Sequence, residues 1–229
     1  MIKEAIILAG GLGTRLKGVV NDIPKPMAPI NGIPFLKYLL EDVHQYGIER
    51  IILAVGYKWE VIQDYFGQEF MGMKIIYAIE HEPLGTGGGI KNAMAHLQNK
   101  DFFLLNGDTF FKVDLRALET HYQDTQSDLC LSLKAMTNFD RYGTVTLKGN
   151  QIIAFQEKKQ MEEGLINGGV YALNTSIFEL AKDQKKFSFE TDIMESGLEQ
   201  FKVQGFISEA YFIDIGIPED YLQAQMDIK

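Results

Sequence analysis

Short apolar runs recur through the first half of the chain at a spacing that leaves room for a helix between each pair. Four of these runs are continuous rather than alternating: residues 5–9, 50–55, 74–79 and 102–106. Continuous apolar runs are typical of strands that are covered on both faces of a parallel sheet. The intervening segments carry apolar residues at spacings of three and four, which indicates amphipathic helices. The alternation predicts an α/β fold with helices on both faces of the sheet.

After about residue 125 the pattern changes, and strand-like segments follow one another more closely. Gly149-Asn150 separates two of them and predicts a hairpin turn. Helical segments are expected near 175–182 and 189–201, and a last helix is expected to begin at Pro218, since proline is favoured at the first helical position. We therefore expect a single domain over 1–229, with a mixed, mainly parallel sheet whose second half is more antiparallel.

Length and charge limit the classes of partner. The chain has 229 residues and a formal net charge of −9, which argues against a general electrostatic grip on nucleic acid. Its one cysteine, Cys130, excludes an intramolecular disulfide and fits a reducing compartment. No apolar stretch approaches the roughly 18 residues that a membrane-spanning helix needs. We therefore expect a cytoplasmic protein with no nucleic-acid or membrane partner.

A glycine-rich turn directly follows the first apolar run. It reads GGLGTR over residues 10–15, and the tripeptide Pro-Lys-Pro follows at 24–26. Ligands of open α/β sheets bind beyond the carboxyl ends of the strands, which is where this turn is expected to lie. Glycines allow main-chain N–H groups to approach an anion closely, and Arg15 and Lys25 add two cations. The segment therefore favours phosphate binding, with a plain structural turn as the alternative.

The turn matches neither of two common phosphate motifs. Leu16 stands where the dinucleotide fingerprint G-x-G-x-x-G needs its third glycine, and no G-K-[ST] follows at the spacing of a P-loop.

A known family does have this pattern. The segment LAGGLGTRL…PKPM resembles the G-G-x-G-T-R-L…P-K signature of the sugar-1-phosphate nucleotidylyltransferases. Later segments resemble further motifs of that family, in order: EPLGTGGGI (82–90), LLNGD (104–108), RYG (141–143), QEK (156–158), INGGVY (166–171) and FIDIGIPEDY (212–221). The resemblance implies a Rossmann-like sheet of the nucleotide-diphospho-sugar transferase type. It also implies an enzyme that joins a nucleoside triphosphate to a sugar 1-phosphate and releases pyrophosphate.

The resemblance also implies roles for individual residues. It divides the chain into a nucleotide-binding half, 1–125, and a sugar-binding half, 126–229. The residues expected to bind the nucleotide are Leu8, Ala9, Gly10, Gly11, Gly13, Thr14, Arg15, Lys25, Gly85, Thr86 and Asp108, of which Arg15, Lys25 and Asp108 are expected to be catalytic. The residues expected to bind the sugar phosphate are Tyr142, Gly143, Glu157, Lys158, Asn167 and Gly168.

Some of these residues also have an ordinary structural interpretation. Glu157 and Lys158 end a strand-like segment and, on the residues alone, would be a solvated surface. The three glycines that follow Thr86 could pack the start of a helix closely against the sheet.

Two acidic residues suggest a metal. Asp108 and Asp214 each stand beside apolar sequence, where a buried lone carboxylate is costly without a partner. Two such acids near a triphosphate suggest Mg²⁺, which is bound through one or two carboxylates together with phosphate oxygens. A Gly-Asp pair after a strand is by itself more often a plain turn, and the resemblance assigns both acids to Mg²⁺. The four histidines show no zinc-binding spacing.

Only the family resemblance indicates which nucleotide and which sugar phosphate the enzyme would use. Residues 82–90 look closer to the guanylyltransferase branch than to the thymidylyl branch, and the compact length and the segment FDRYGTVTL (139–147) favour a heptose enzyme. We therefore expect GTP and D-glycero-α-D-manno-heptose 1-phosphate. The alternatives are uridylyl or other nucleotidyl transfer to a hexose or amino-sugar 1-phosphate, a metal-dependent glycosyltransferase, and a non-catalytic sugar-nucleotide-binding protein. The oligomeric state is open, a homodimer included.

Overall fold

The computed structural model describes residues 1–11 and 23–228. Within these ranges the strands are β1 (Glu4–Leu8), β2 (Pro29–Ile30), β3 (Ile33–Pro34), β4 (Arg50–Val55), β5 (Glu69–Phe70), β6 (Met73–Ile79), β7 (Asp101–Asn106), β8 (Thr109–Phe111), β9 (Leu129–Phe139), β10 (Thr144–Lys148), β11 (Gln151–Gln156), β12 (Met161–Asn174), β13 (Val203–Ile207) and β14 (Phe212–Asp214). The α-helices are α1 (Phe35–His44), α2 (Trp59–Phe66), α3 (Gly85–Met94), α4 (Leu115–Asp124) and α5 (Pro218–Asp227).

One ten-stranded sheet runs through both halves of the chain, in the order β10-β11-β13-β9-β12-β7-β1-β4-β6-β5. In the first half β7, β1, β4 and β6 are parallel. The long strand β12 lies antiparallel between β7 and β9 and carries the sheet into the second half. The expected mixed α/β sheet is confirmed, although parallel pairing predominates only in the first half because the second half is built mainly from antiparallel neighbours.

Both faces of the sheet are covered, as expected. Along β1, Ala5 and Ile7 pack into one core with α1, α2, α4 and α5, while Ile6 packs into a second core with α3. The alternation follows from the period of two in a strand. Two short segments complete the second core, a 3₁₀-helix at Thr175–Ala181 and a π-helical turn at Glu190–Glu195. They lie within the two ranges where helical segments were expected, 175–182 and 189–201.

Several turns and helix ends match their local sequence signals. Gly149 has φ +61° in the turn between β10 and β11, α5 begins at Pro218, and Asp114 caps α4 by accepting hydrogen bonds from the N–H groups of Arg116 and Ala117. A two-stranded ribbon of β8 and β14 lies beyond the main sheet and pairs Asp214 with Thr109. This pairing brings Asp214 close to the residues that follow β7.

A half-buried carboxylate on α1 makes stability depend on pH. Burial raises the pKa of Asp42 from 3.8 to about 6, against the opposing charge of Lys112. Because the folded protein binds this proton more tightly than the unfolded chain, the Asp42 contribution lowers stability as pH rises from about 4 to about 6. We expect Asp42→Asn to be more stable than the native protein at pH 7.5, by up to ~3 kcal/mol, with a much smaller difference at pH 4. Urea unfolding at both pH values measures this, and a pH-independent difference would contradict it.

Candidate active site

A cavity of about 670 Å³ opens at the carboxyl ends of β1, β4, β6 and β7. This is where open α/β sheets bind ligands, and the volume is that of a small-molecule site. Seven of the residues expected to bind a nucleotide line it: Leu8, Gly10, Gly11, Lys25, Gly85, Thr86 and Asp108.

Ala9, which was also expected to bind the nucleotide, is not among the residues that line the cavity. It packs in the core, where its N–H donates to the Ala54 carbonyl at 2.8 Å.

The remaining nucleotide residues expected from the sequence are Gly13, Thr14 and Arg15. They lie outside the described residues, and their roles stay predictions.

Three charged side chains meet at one end of the cavity. Lys25 Nζ lies 2.6 Å from Asp108 Oδ2 and 3.9 Å from Asp214 Oδ1. Asp108 lies two residues after the end of β7. Asp214 lies close to it because the neighbouring Ile215 N–H donates to the Asp108 carbonyl at 3.0 Å. Lys25 opens a short 3₁₀-helix, Lys25–Met27, and its side chain is only 13% exposed. The structure thus brings together all three residues expected at the reacting phosphates that it describes.

The two carboxylates have the chemistry of a magnesium site. Burial raises the pKa of Asp214 and the Asp108 charge raises it further, while Lys25 and the Gly216 N–H oppose the shift. An added cation between the acids would relieve this repulsion. In the described part of the chain, no group of three or more His, Cys, Asp or Glu side chains could enclose a metal. Two carboxylates with the remaining positions left to phosphate and water suit Mg²⁺, so the residues fit the expected ion.

The described wall of the cavity is acidic. Four carboxylates line it, those of Glu80, Glu82, Asp108 and Glu190, against the single ammonium of Lys25. A triphosphate entering such a cavity needs further positive charge, because like charges at short range repel strongly in a partly desolvated site. A bound divalent cation would provide such charge, and Arg15, outside the described residues, stays a predicted further source.

Glu80 also lines the cavity, although no sequence motif indicates it. It directly follows β6, and its Oε2 accepts a hydrogen bond from the Leu84 N–H at 3.2 Å. Burial raises the pKa of its carboxyl, against the effect of that hydrogen bond. A carboxylate can accept several hydrogen bonds, so Glu80 retains acceptor capacity for a ligand. Its place after a continuous apolar strand, like that of Asp108 after β7, is the signal that could have revealed it.

Tyr142, in the second half of the chain, is close enough to Asp214 to be affected by its charge. Burial raises the pKa of its phenol, and the nearby negative charge of Asp214 raises it further. The neighbouring Arg141 lies over the Tyr142 ring, 5.3 Å from its centroid, and donates to Asp220 Oδ2 at 2.6 Å. Arg141 was not singled out from the sequence, although it stands in the same motif as Tyr142.

The other expected sugar residues have three different environments. The Asn167 amide donates to the Tyr171 hydroxyl at 2.8 Å and accepts from the Gly169 N–H at 3.0 Å, at an irregularity of β12. Gly168 is in the core, where a β-carbon would lie 2.4 Å from the Phe111 ring, so its lack of a side chain serves packing. Gly143 lies against β11, with the Gln156 carbonyl 2.5 Å from where a β-carbon would be.

Glu157 and Lys158 are exposed in the segment between β11 and β12. Neither is among the described residues that line the cavity. Their expected contacts with the sugar and its phosphate stay predictions.

The cavity and its cluster can be compared with known proteins. Residues 4–229 match the family described as Nucleotidyl transferase. This chain belongs to that family. It is 51% identical over 226 residues to the D-glycero-alpha-D-manno-heptose 1-phosphate guanylyltransferase of Aneurinibacillus thermoaerophilus, covering 99% of this chain and 98% of the relative. It is also 51% identical to the Campylobacter jejuni protein of the same name, over 95% of this chain and 96% of the relative.

A solved structure shows the same fold. HddC from Yersinia pseudotuberculosis, complexed with GMP-PN, superposes with a TM-score of 0.88 at 40% identity, with 100% of both chains covered. The expected family and the nucleotide-diphospho-sugar transferase type of fold are therefore confirmed. Among residues 1–11 and 23–228, no helix has the length and apolar content needed to cross a bilayer.

Proposed function

We propose that this protein is a guanylyltransferase that joins GTP and D-glycero-α-D-manno-heptose 1-phosphate into the GDP-sugar and releases pyrophosphate. The observation that carries the proposal is the meeting of Lys25, Asp108 and Asp214 at one end of a nucleotide-sized cavity. The choice of substrates is supported by the 51% identity to two proteins with that name over nearly the whole chain.

The reaction needs no covalent intermediate with the protein. An oxygen of the sugar phosphate attacks the α-phosphorus of GTP in line, and pyrophosphate leaves on the opposite side. Both reactants are polyanions, so the protein contributes mainly by positioning them and by stabilising negative charge. The Lys25 ammonium is proposed to neutralise charge around the α-phosphate, and the main chain at Gly10-Gly11 is proposed to approach the nucleotide closely. Arg15, which lies outside the described residues, is proposed to stabilise the leaving pyrophosphate.

Asp108 and Asp214 would hold Mg²⁺, with phosphate oxygens and water as the remaining ligands. When bound, the ion would offset negative charge on the nucleotide phosphates. The two carboxylates also hold the Lys25 ammonium in place, since both lie within 4 Å of Nζ.

The sugar phosphate is proposed to bind along the second half of the chain. Tyr142 is proposed to contact the sugar phosphate, and the effect of the Asp214 charge on the pKa of its phenol supports this. Asn167 offers both a donor and an acceptor to hydroxyl groups. Lys158 is proposed to attract the phosphate and Glu157 to bind a sugar hydroxyl, with Gly143 allowing close approach of the main chain. Gly168 would support this pocket from the core, through its packing against Phe111. A cytoplasmic location belongs to the same proposal.

Glu80 gives the cavity a preference for guanine. Guanine presents two adjacent donors, N1–H and the 2-amino group, and a carboxylate can accept from both. Inosine lacks the 2-amino group, so ITP isolates that contact. We expect native kcat/KM to be at least about tenfold higher for GTP than for ITP, and this ratio to approach one in Glu80→Gln. Glu82→Gln, which removes a more exposed carboxylate two residues away, should keep the native ratio; a ratio that survives in Glu80→Gln would contradict the assignment.

Pyrophosphate release tests the proposed function directly. The native protein is incubated with Mg²⁺, each of the four nucleoside triphosphates and a panel of sugar 1-phosphates that includes the heptose, mannose, glucose and N-acetylglucosamine compounds. We expect the highest kcat/KM with GTP and the heptose phosphate. Release with UTP alone would instead identify a uridylyltransferase. Binding of GTP without release under any condition would identify a non-catalytic nucleotide-binding protein.

A further inference from the structure

Lys91 joins two parts of the chain that are about ninety residues apart. It lies on α3, and its ammonium donates to three main-chain carbonyls, those of Ala181 at 3.0 Å, Lys182 at 2.5 Å and Gln184 at 3.0 Å. An ammonium has three N–H donors, so this side chain is fully committed. We call residues 181–190 the strap, since this segment lies across the beginning of α3.

Main-chain hydrogen bonds join the strap to the first turn of α3. The Phe187 N–H donates to the Leu84 carbonyl at 3.0 Å, and the Phe187 carbonyl accepts from the N–H groups of Gly87 and Gly88 at 3.0 and 3.3 Å. The glycines make this contact possible, because a β-carbon on Gly87 would lie 2.3 Å from the Phe187 ring and one on Gly88 2.5 Å from the Lys185 carbonyl. The glycine run after Thr86 therefore packs the helix start against the strap.

The end of the strap forms part of the cavity wall. Glu190 lines the cavity together with Gly85 and Thr86. The Thr86 hydroxyl accepts from the Phe189 N–H at 2.9 Å and donates to Glu190 Oε2 at 2.6 Å. Any shift of the strap would therefore move Glu190 and the side chain of Thr86 together.

We propose that Lys91 is a positioning residue for the nucleotide. It fixes the strap on α3 and, through the strap, the wall formed by Gly85, Thr86 and Glu190. The wall belongs to α3 and the strap, whereas the reacting phosphates are assigned to Lys25 and Asp108 on other elements. Loss of Lys91 is therefore expected to weaken nucleotide binding with little effect on the chemical step. The inference rests on the proposed function only in taking a nucleotide as the occupant of the cavity.

The test separates affinity from turnover. In Lys91→Met we expect the KM for GTP to rise about tenfold with kcat within about twofold of native, and the Kd for a non-hydrolysable GTP analogue, measured by calorimetry, to rise by the same factor. Lys91→Arg should recover most of the affinity, since a guanidinium can also donate to several carbonyls. Lys182→Met, a lysine in the strap with an exposed side chain, is the matched control and should bind as the native protein does.

A double-mutant cycle tests the route through the strap. Thr86→Val and Lys91→Met should be non-additive in the Kd for the analogue, because both release the same wall. If Lys91→Met lowers the melting temperature but leaves the Kd unchanged, the residue is only structural and the proposal fails. If Lys91→Met does not fold, Lys91→Gln provides the same comparison. If the native protein binds another nucleotide and not the GTP analogue, the proposed function is wrong, and the Lys91 comparison made with that nucleotide still decides this inference.

Discussion

Lys25→Met is expected to lower kcat by at least about 100-fold, the usual cost of removing one preorganised electrostatic donor from an active site. Methionine keeps most of the volume of the lysine side chain but removes its charge. In the native protein that charge lies 2.6 Å from Asp108 Oδ2, in a side chain that is only 13% exposed, so bulk water cannot easily replace it. Steady-state pyrophosphate release at saturating GTP and sugar phosphate measures the loss.

Two controls distinguish a loss of catalysis in Lys25→Met from a general loss of folding or activity. Lys37→Met removes a lysine on α1 that pairs with Glu41 at 3.5 Å, outside the cavity wall, and should retain native turnover. Far-UV circular dichroism and a thermal melt establish that the Lys25 variant is folded. A folded Lys25→Met protein with native kcat would remove Lys25 from the catalytic machinery. The sequence predicts a similar loss for Arg15→Ala.

Asp108→Asn and Asp214→Asn are expected to have the second largest effect. Each substitution keeps the shape of the side chain and removes one anionic oxygen donor, so we expect turnover to fall by at least about 100-fold at a fixed, limiting Mg²⁺ concentration. Part of this loss should be recovered by raising Mg²⁺, because weakened metal binding can be offset by mass action. Titrating Mg²⁺ against pyrophosphate release measures both the loss and the recovery.

Removing the metal from the native protein tests the same magnesium site. Native turnover should disappear in excess EDTA and return when Mg²⁺ is restored. Asp124→Asn, an exposed aspartate at the end of α4, is the matched control and should show the native Mg²⁺ dependence. Undiminished native turnover in EDTA, or an unchanged Mg²⁺ titration in both site variants, would contradict a magnesium site at these carboxylates.

Local sequence signals were sufficient for much of the fold. The continuous apolar runs became β1, β4, β6 and β7, because strands covered on both faces need apolar residues at every position. The Asp114 cap of α4 depends only on N–H groups two and three residues away, so it is set by local sequence. The position of β12 between β7 and β9 was not, since strand order depends on contacts between distant segments.

In the site, too, residues within local motifs were predicted, whereas contacts between distant segments were not. Asp108 and Lys25 follow recognisable local motifs, and their meeting with Asp214 was expected from the family resemblance. Glu80 matches no motif, so its position directly after β6 was the one available signal, and it was missed. The strap was missed because its contacts with α3 join residues about a hundred positions apart, and the same contacts explain why the glycines after Thr86 are needed for packing.

We propose that Lys25, Asp108 and Asp214 act together at the phosphates of a nucleotide whose nucleotidyl group is transferred to a sugar phosphate. The most direct measurement uses GTP labelled at the α-phosphate, with the heptose 1-phosphate and Mg²⁺, and follows the label in the native and Lys25→Met proteins. The native protein should move the label into a GDP-sugar with one pyrophosphate released for each transfer, and the variant should do so at least about 100-fold more slowly. Label that stays in GTP, or that appears as GMP, would contradict the claim.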